Sequence, residues 1–204
     1  MARLSRVAKS RASGVVAEYY EKLFGDRDPV ESPGTDTGSR GDWWTTYALV
    51  PPVFEHAVAH FKIFGMFSDQ SKSILEPAIR ELGILRAAYV AQSAFVFSQH
   101  SKVARSVGVS QEKIDLIGCW QCSDAFSKRE KVVLAYADCL LHHHGRVADE
   151  LFRGLKKQLS DEEILEFTYH TLLYFGYAIS SRAFRLEYDD VDSAMVEHDP
   201  RGVA

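Results

Sequence analysis

The sequence predicts an all-α protein, and three observations support that prediction. Apolar residues recur at helical spacing through most of the chain after residue 42, as in the stripe formed by Phe54, Val58 and Phe61. Serine followed three positions later by glutamate, the capping-box pattern that begins helices, occurs at Ser127 and Ser160. No stretch of the sequence shows the sustained alternation of apolar and polar side chains that is typical of strands. We therefore expect a bundle of helices without a sheet.

Composition and charge restrict the class of protein. The 204 residues are 46% hydrophobic and 25% charged, which is enough apolar material to bury a sizeable core in one domain. A net charge of −4 and the lack of a basic stripe argue against nucleic-acid or membrane-surface partners. No apolar run approaches the roughly 20 residues of a membrane span. Cys119, Cys122 and Cys139 are too few for a disulfide scaffold, so we expect a reducing, cytoplasmic location.

Residues 1–42 are predicted to form a separate N-terminal segment, a helix followed by a long polar loop. The first residues are basic and no acid precedes Glu18, which is compatible with a transit peptide, but we favour a surface helix that continues through Tyr19, Tyr20 and Leu23. Residues 25–42 are rich in glycine, proline and aspartate, so we expect a loop that is mobile, wraps a neighbouring subunit or covers a pocket.

Residues 43–204 are predicted to form the helical domain, and most of its helices have a recognisable start or stop. Proline suits the first turn of a helix and interrupts one already under way, so the pair Pro51-Pro52 should separate a short aromatic helix from the next helix. Gly108 stands where a left-handed glycine would end a helix running from about Ser93 to Val107. Further helices are expected through residues 75–89 and after the caps Ser110, Ser127 and Ser160.

Polar side chains interrupt the apolar pattern between residues 80 and 100. Ser93 and His100 are seven positions apart. On one helix they would therefore differ by about 20° around the axis and share a face. Glu81 lies on the preceding helix, and because polar groups in a core need partners, we expect it to face His100. The candidate catalytic residues are His100 as the acid–base group, Glu81 as the carboxylate that orients it, Tyr89 and Ser93.

This part of the chain resembles the carboxymuconolactone decarboxylase/AhpD family. The resemblance rests on the run Arg-Glu-Leu-x-Ile-Leu-Arg that begins at Arg80, on Gln99-His100, and on Gly108-Val109-Ser110. It extends over roughly residues 43 to 190 and implies an AhpD-like helical bundle that assembles into trimers or hexamers.

The resemblance also shows where this chain departs from the family. In the peroxidase branch a glutamate precedes a Cys-x-x-Cys pair and a histidine. Glu81 and His100 match the glutamate and the histidine, whereas Ser93 and Val96 occupy the cysteine positions. A serine hydroxyl and a valine methyl cannot replace a thiolate pair in redox chemistry. The glutamates that the decarboxylase branch carries near the positions of Ala94 and Val96 are missing too.

These departures favour acid–base chemistry over the usual reactions of either branch. We expect a lyase or isomerase that decarboxylates, eliminates from or opens a small aromatic or lactone-like substrate, without a metal or an organic cofactor. The i, i+4 pair His56 and His60 is interpreted as structural rather than as part of a metal site. The candidate substrate-binding residues are Trp43, Trp44, Tyr47, Phe95, Phe97 and Gln99.

Three alternatives stay open at this point. Cys119 and Cys122 form a Cys-x-x-Cys at an unusual position, so an AhpD-like alkylhydroperoxidase that uses this pair is one of them. A non-catalytic binding member of the fold is the second. The third is that Glu81 and His100 form only a buried, hydrogen-bonded brace between two helices.

Overall fold

The computed structural model describes residues 2–68, 70–189, 195 and 197, and the regular structure in these residues is entirely helical. This confirms the all-α class, while residues 190–194, 196 and 198–204 of the predicted helical domain lie outside the described residues. No helix in the described ranges combines the length and the apolar character needed to cross a bilayer. The helices are α1 (Gly14–Phe24), α2 (Asp42–Tyr47), α3 (Pro51–Ile63), α4 (Pro77–Val90), α5 (Ala94–Ser106), α6 (Gln111–Asp115), α7 (Lys128–His142), α8 (Asp149–Leu155) and α9 (Asp161–Phe184), with 3₁₀ turns at Lys9–Arg11 and Ile117–Cys122.

The chain divides into two compact units. Unit one comprises residues 1–73, 181–192 and 198–204, and unit two comprises residues 74–180 and 193–197. These limits differ from the boundary after residue 42, which stays a prediction. Unit one contains α1 to α3, and unit two contains α4 to α8 with most of α9.

The N-terminal segment of unit one differs from the predicted surface helix. Its helix α1 begins only at Gly14, after Ser13, and two of the basic residues before it, Lys9 and Arg11, lie in a single 3₁₀ turn. The preceding backbone makes its hydrogen bonds elsewhere, since the N–H of Val7 donates to the carbonyl oxygen of Thr45 at 2.9 Å. Tyr20 is fully buried and donates to the carbonyl oxygen of Val7. The helix therefore packs its buried face against the segment before it, while Glu18, Glu21 and Lys22 on its other face are exposed.

The predicted loop is confirmed, because no helix lies between Phe24 and Asp42. Its own hydrogen bonds fix its conformation. The carboxylate of Asp28 accepts the backbone N–H groups of Lys9 and Val30, both at 2.8 Å. Backbone bonds also join Gly34 to Arg40. Such side-chain bonds to nearby N–H groups take the place of a helical ladder in polar segments.

The predicted caps of unit two are confirmed. Ser93, Ser110 and Ser127 each accept a backbone N–H three residues on. Ser160 and Glu163 exchange the two hydrogen bonds of a capping box at the start of α9. Gly108 follows α5 with φ of 93°, in the left-handed region that favours glycine. Two elements were not predicted, the helix α8 and the 3₁₀ turn Ile117–Cys122.

Candidate functional site

The centre of the candidate site is the contact between α4 and α5. Glu81 lies on α4 and His100 on α5, and the predicted contact between them is present, with His100 Nδ1 2.7 Å from Glu81 Oε2. His100 keeps 9% of its surface exposed, whereas Glu81 keeps 1%. His100 is therefore held from within the core, and its side chain keeps 11% of its surface exposed.

Glu81 also has a cationic partner, the side chain of Arg80. The Nε–H of Arg80 donates to Glu81 Oε1 at 3.1 Å, so each carboxylate oxygen has its own hydrogen bond. Burial raises the pKa of Glu81, but the charges and hydrogen bonds of His100 and Arg80 outweigh it and hold the pKa below its usual value. Glu81 is consequently ionised at neutral pH although almost no water reaches it.

An ionised Glu81 fixes the state of the imidazole. A carboxylate can only accept hydrogen bonds, so His100 must carry a proton on Nδ1 and donate it to Oε2. In the neutral ring, Nε2 then holds the lone pair, and no hydrogen bond joins Nε2 to any residue that the structure describes. A histidine in this state can accept a proton through Nε2, and the buried carboxylate stabilises the imidazolium that results.

Tyr174 completes the surroundings of His100, and sequence reasoning missed it. Its ring meets the imidazole edge to face, with centroids 4.4 Å apart. Burial raises the pKa of Tyr174 well above its usual value, with a further contribution from the charge of Glu81, so the phenol stays neutral. The tyrosine lies on α9, 74 residues after His100, in a helix with apolar residues on all sides, which gave no signal that this position reaches the site.

A glycine on α4 allows α9 to come this close. A Cβ added at Gly83 would lie 2.6 Å from the ring of Phe167 and 2.6 Å from the hydroxyl of Thr171, both on α9. Real Cβ atoms do not approach other atoms so closely, so the two helices pack against each other only because residue 83 has no side chain. Gly83 thereby helps to place Tyr174 beside His100.

Two other candidate catalytic residues have different surroundings. Ser93 is fully buried at the N-cap of α5, where its hydroxyl oxygen accepts the N–H of Val96 at 3.2 Å. This contact gives Ser93 a structural role that explains its presence.

Tyr89 lies eight residues after Glu81 on α4, or about 12 Å along the helix axis, and is 38% exposed. The structure thus separates Tyr89 from the pair formed by Glu81 and His100, and a catalytic role for either residue stays a prediction.

The candidate substrate-binding residues fall into two groups. Trp43, Trp44 and Tyr47 belong to unit one, where both tryptophans are buried and Trp43 stacks on Tyr47 with centroids 3.9 Å apart. Trp44 also meets Phe61 edge to face, so these rings form part of the core of that unit. The remaining three lie with His100 on α5 in unit two: Phe95, Phe97 and Gln99.

A cavity of about 240 Å³ lies beside α5 in unit two. Phe97 and Tyr89 line it, whereas His100 and Glu81 do not. Tyr89 reaches this place because residue 118 is a glycine, since a Cβ there would collide with the phenol. The walls consist of residues from α4, α5, α6, the 3₁₀ turn and the C-terminal part of the chain: Tyr89, Phe97, Ser101, Gln111, Ile114, Asp115, Ile117, Met195 and Glu197.

The Cys-x-x-Cys lies on the 3₁₀ turn Ile117–Cys122. Cys119 and Cys122 are both exposed free thiols, and Cys119 departs from helical geometry with φ of −128°. The residues between them hold the turn against α7, because Trp120 Nε1 and Gln121 Nε2 each donate to Asp138 Oδ2 at 3.1 Å. The turn therefore has a fixed position while its two thiols remain accessible to solvent.

The histidine pair on α3 has a structural environment. His60 is buried against the rings of Phe61 and Phe64, whereas His56, one turn earlier, is exposed. Over the described ranges of the chain, no three histidine, cysteine, aspartate or glutamate side chains group closely enough to hold a metal ion.

The sequence comparisons match the middle of the chain. The model of the carboxymuconolactone decarboxylase family matches residues 54–139. The uncharacterised protein YdfG of Bacillus subtilis strain 168 is 26% identical over 115 residues, which are 55% of this chain and 78% of YdfG.

Solved structures share the fold over most of the chain. An uncharacterised, peroxidase-related protein with an alkylhydroperoxidase AhpD core, from Ralstonia eutropha JMP134, aligns with a TM-score of 0.66 at 15% identity over 91% of this chain and 90% of that chain. A protein of unknown function from Agrobacterium tumefaciens, whose name relates it to the antioxidant defence protein AhpD, aligns with a TM-score of 0.61 at 24% identity. The alignment covers 74% of this chain and 96% of that chain. A cysteine-to-alanine variant of the debrominase Bmp8, in complex with 2,3,4-tribromopyrrole, aligns with a TM-score of 0.62 at 17% identity. The alignment covers 98% of this chain and 96% of that chain.

Proposed function

We propose that the chain is an enzyme that moves protons on a small substrate. The premise is the match of residues 54–139 to the model of the carboxymuconolactone decarboxylase family, which confirms the resemblance seen in the sequence. The proposed class is a lyase or isomerase that needs neither a metal nor an organic cofactor. The fold is shared with the debrominase Bmp8, so catalysis on small ring compounds has a precedent among proteins of this architecture.

The observation that carries the proposal is the 2.7 Å hydrogen bond between His100 Nδ1 and Glu81 Oε2. It directs the lone pair of the imidazole to Nε2 and supplies a counter-charge for the imidazolium. Arg80 keeps Glu81 ionised, and the ring of Tyr174 limits the positions that the imidazole can adopt. Nε2 of His100 makes no hydrogen bond to a residue that the structure describes, which leaves it available to a substrate.

The proposed reaction begins when Nε2 accepts a proton from a substrate carbon next to a carbonyl group or within an electron-poor ring. The electron pair left on that carbon moves into the carbonyl or the ring, and Glu81 balances the positive charge of His100. The imidazolium then returns the proton to a different atom, which gives isomerisation, or to a leaving oxygen, which gives elimination or ring opening. His100 ends the cycle in its starting state.

The test is turnover by wild type and by a His100→Gln variant with ring-containing acids and lactones, together with exchange of substrate hydrogen for deuterium from the solvent. General acid–base catalysis contributes about 10²–10⁴ to a rate, so we expect a loss of that size in both readouts. His143→Gln is the matched control, because His143 is exposed near the end of α7. A folded His100→Gln variant that retains the wild-type rate would refute the proposal.

A thiol oxidoreductase is the second candidate function, and the exposure of both thiols of the Cys-x-x-Cys favours it. The two cysteines are three positions apart on the 3₁₀ segment Ile117–Cys122, which is kinked at Cys119. A hydroperoxide would be reduced to an alcohol and water while the two thiols become a disulfide. Replacing both cysteines by serine should leave turnover unchanged under the first proposal and abolish hydroperoxide reduction under the second.

We also propose that the chain associates with copies of itself through α9. One side of this helix packs inside unit two, and the opposite side exposes apolar residues with spacings of four and three, the repeat of a coiled-coil seam. Leu165 alone is 71% exposed, which is unusual for a large apolar side chain in the middle of such a stripe. We call this set the outer stripe; it consists of Leu165, Tyr169, Leu172, Gly176 and Ile179.

A further inference from the structure

The cavity beside α5 contains a polar group that the fold leaves unsatisfied. Ser101 is fully buried, lines the cavity, and its hydroxyl has no hydrogen-bond partner among the described residues. Serine within a helix usually satisfies its hydroxyl by donating to the carbonyl oxygen four residues earlier. A buried hydroxyl without a partner costs roughly 1–3 kcal/mol, so a position that keeps one calls for an explanation.

Three other polar side chains of the cavity, Gln111, Asp115 and Glu197, already have hydrogen-bond partners. Gln111 donates to Asp115 Oδ1 at 2.8 Å and accepts a hydrogen bond from Arg105 at 3.0 Å. Arg105 also binds both carboxylate oxygens of Glu197, at 2.7 and 2.6 Å. This side of the cavity is therefore a paired polar wall.

The size and the walls of the cavity indicate what would fill it. About 240 Å³ exceeds the roughly 150 Å³ that accommodates benzene in an engineered protein cavity, so a single ring with one substituent fits. Phe97, Ile114 and Ile117 supply apolar contacts. The two carboxylates of the wall, Asp115 and Glu197, are partly balanced by Arg105 and disfavour an anion.

We propose that this cavity is a binding site for a small, uncharged ring compound with one hydroxyl or similar hydrogen-bonding group, which pairs with the hydroxyl of Ser101. His100 and Glu81 do not line the cavity, so such a ligand binds beside the reacting groups and not on them. Ser101 follows His100 on α5, about 100° around the helix axis. The site is thus separate from the proposed catalytic centre, and its test does not depend on turnover.

The experiment titrates the full chain with benzyl alcohol, toluene and benzoate and measures binding by ligand-observed and protein NMR. We expect benzyl alcohol to saturate the cavity, toluene to bind more weakly, and benzoate to bind at least about tenfold more weakly than benzyl alcohol. Ser101→Ala should weaken the binding of benzyl alcohol about five- to tenfold and leave that of toluene within about twofold, because only one ligand loses a hydrogen bond. Ser101→Thr keeps the hydroxyl and should retain most of the affinity.

Ser98→Ala is the matched control, since Ser98 is also fully buried on α5 but does not line the cavity. Thermal melting of each variant checks folding, and Tyr89→Phe at a half-exposed wall position gives a second readout if the Ser101 variants unfold. Failure of benzyl alcohol to saturate the wild-type chain below about 10 mM would overturn the proposal. Equal affinity of wild type and folded Ser101→Ala for benzyl alcohol would overturn it too.

Discussion

Replacing Glu81 by glutamine should destabilise the chain far more than the loss of an ordinary surface charge. The substitution keeps the shape of the side chain and removes its negative charge. In the structure the side chain of Glu81 is 2% exposed. Its carboxylate lies 3.1 Å from Arg80 Nε and 2.7 Å from His100 Nδ1. Removing one partner of a buried ion pair costs about 3–5 kcal/mol. The side chain of Arg80, 6% exposed, would lose its ion pair with Glu81.

The effect should also depend on pH, with a sign that the pKa of Glu81 determines. This pKa is lower in the folded chain than its usual value, so the stabilising contribution is present at neutral pH, above the unfolded pKa of about 4.3. The contribution is lost as the pH falls through the lower folded pKa. The free energies of unfolding of wild type and Glu81→Gln should therefore differ most near pH 7 and approach each other in acid.

The assay is chemical unfolding followed by circular dichroism, at one fixed protein concentration and at several pH values. Glu150→Gln is the matched control, because Glu150 forms an exposed pair with Arg153 whose loss costs about 0–1 kcal/mol. A difference between wild type and Glu81→Gln below about 1 kcal/mol at pH 7 would refute the account of Glu81 as a buried, charge-paired carboxylate. So would a difference that stays constant into acid.

Three further predictions follow from packing and charge. Gly83→Ala should lower the free energy of unfolding by about 1–3 kcal/mol, whereas Gly154→Ala, with open space at its Cβ, should not; urea unfolding of both variants checks this. Leu172→Asp in the outer stripe should shift the chain to a smaller species in light scattering, while Phe152→Asp, exposed on α8, should leave its mass unchanged. Burial raises the pKa of Glu187 from 4.5 to about 7, so the free energy of unfolding should fall as the pH rises from 4.5 to about 7, and Glu187→Gln should flatten that slope.

Local patterns in the sequence were enough to predict the helices and the central contact of the site. The caps at Ser110 and Ser127 act within one turn, so their effect is visible in a few residues. The contact between Glu81 and His100 could be predicted because α4 and α5 are joined by a short turn, which brings consecutive helices side by side.

Tyr174 could not be predicted in the same way, because its place depends on a distant packing contact. It reaches His100 only where α9 approaches Gly83, and that approach is a property of two helices far apart in sequence. A glycine inside a helical pattern was the available signal, since such a glycine often marks close packing, but it does not name the partner. Trp43 and Trp44 show a different limit of sequence reasoning. A large aromatic side chain suits a binding pocket as well as a core, so the residue type alone does not distinguish the two.

The two sides of α9 connect the proposed site with the proposed self-association. Tyr174 lies on the inner side and contacts His100, while Leu172, two residues earlier, lies on the outer stripe. A helix that is packed on both sides cannot shift against its neighbours. Packing on the outer stripe would therefore help to hold the ring of Tyr174 in place against His100. We therefore expect Leu172→Asp to lower turnover through the orientation of His100 without touching the site, and a monomeric variant that keeps the wild-type kcat would separate the two roles of the helix.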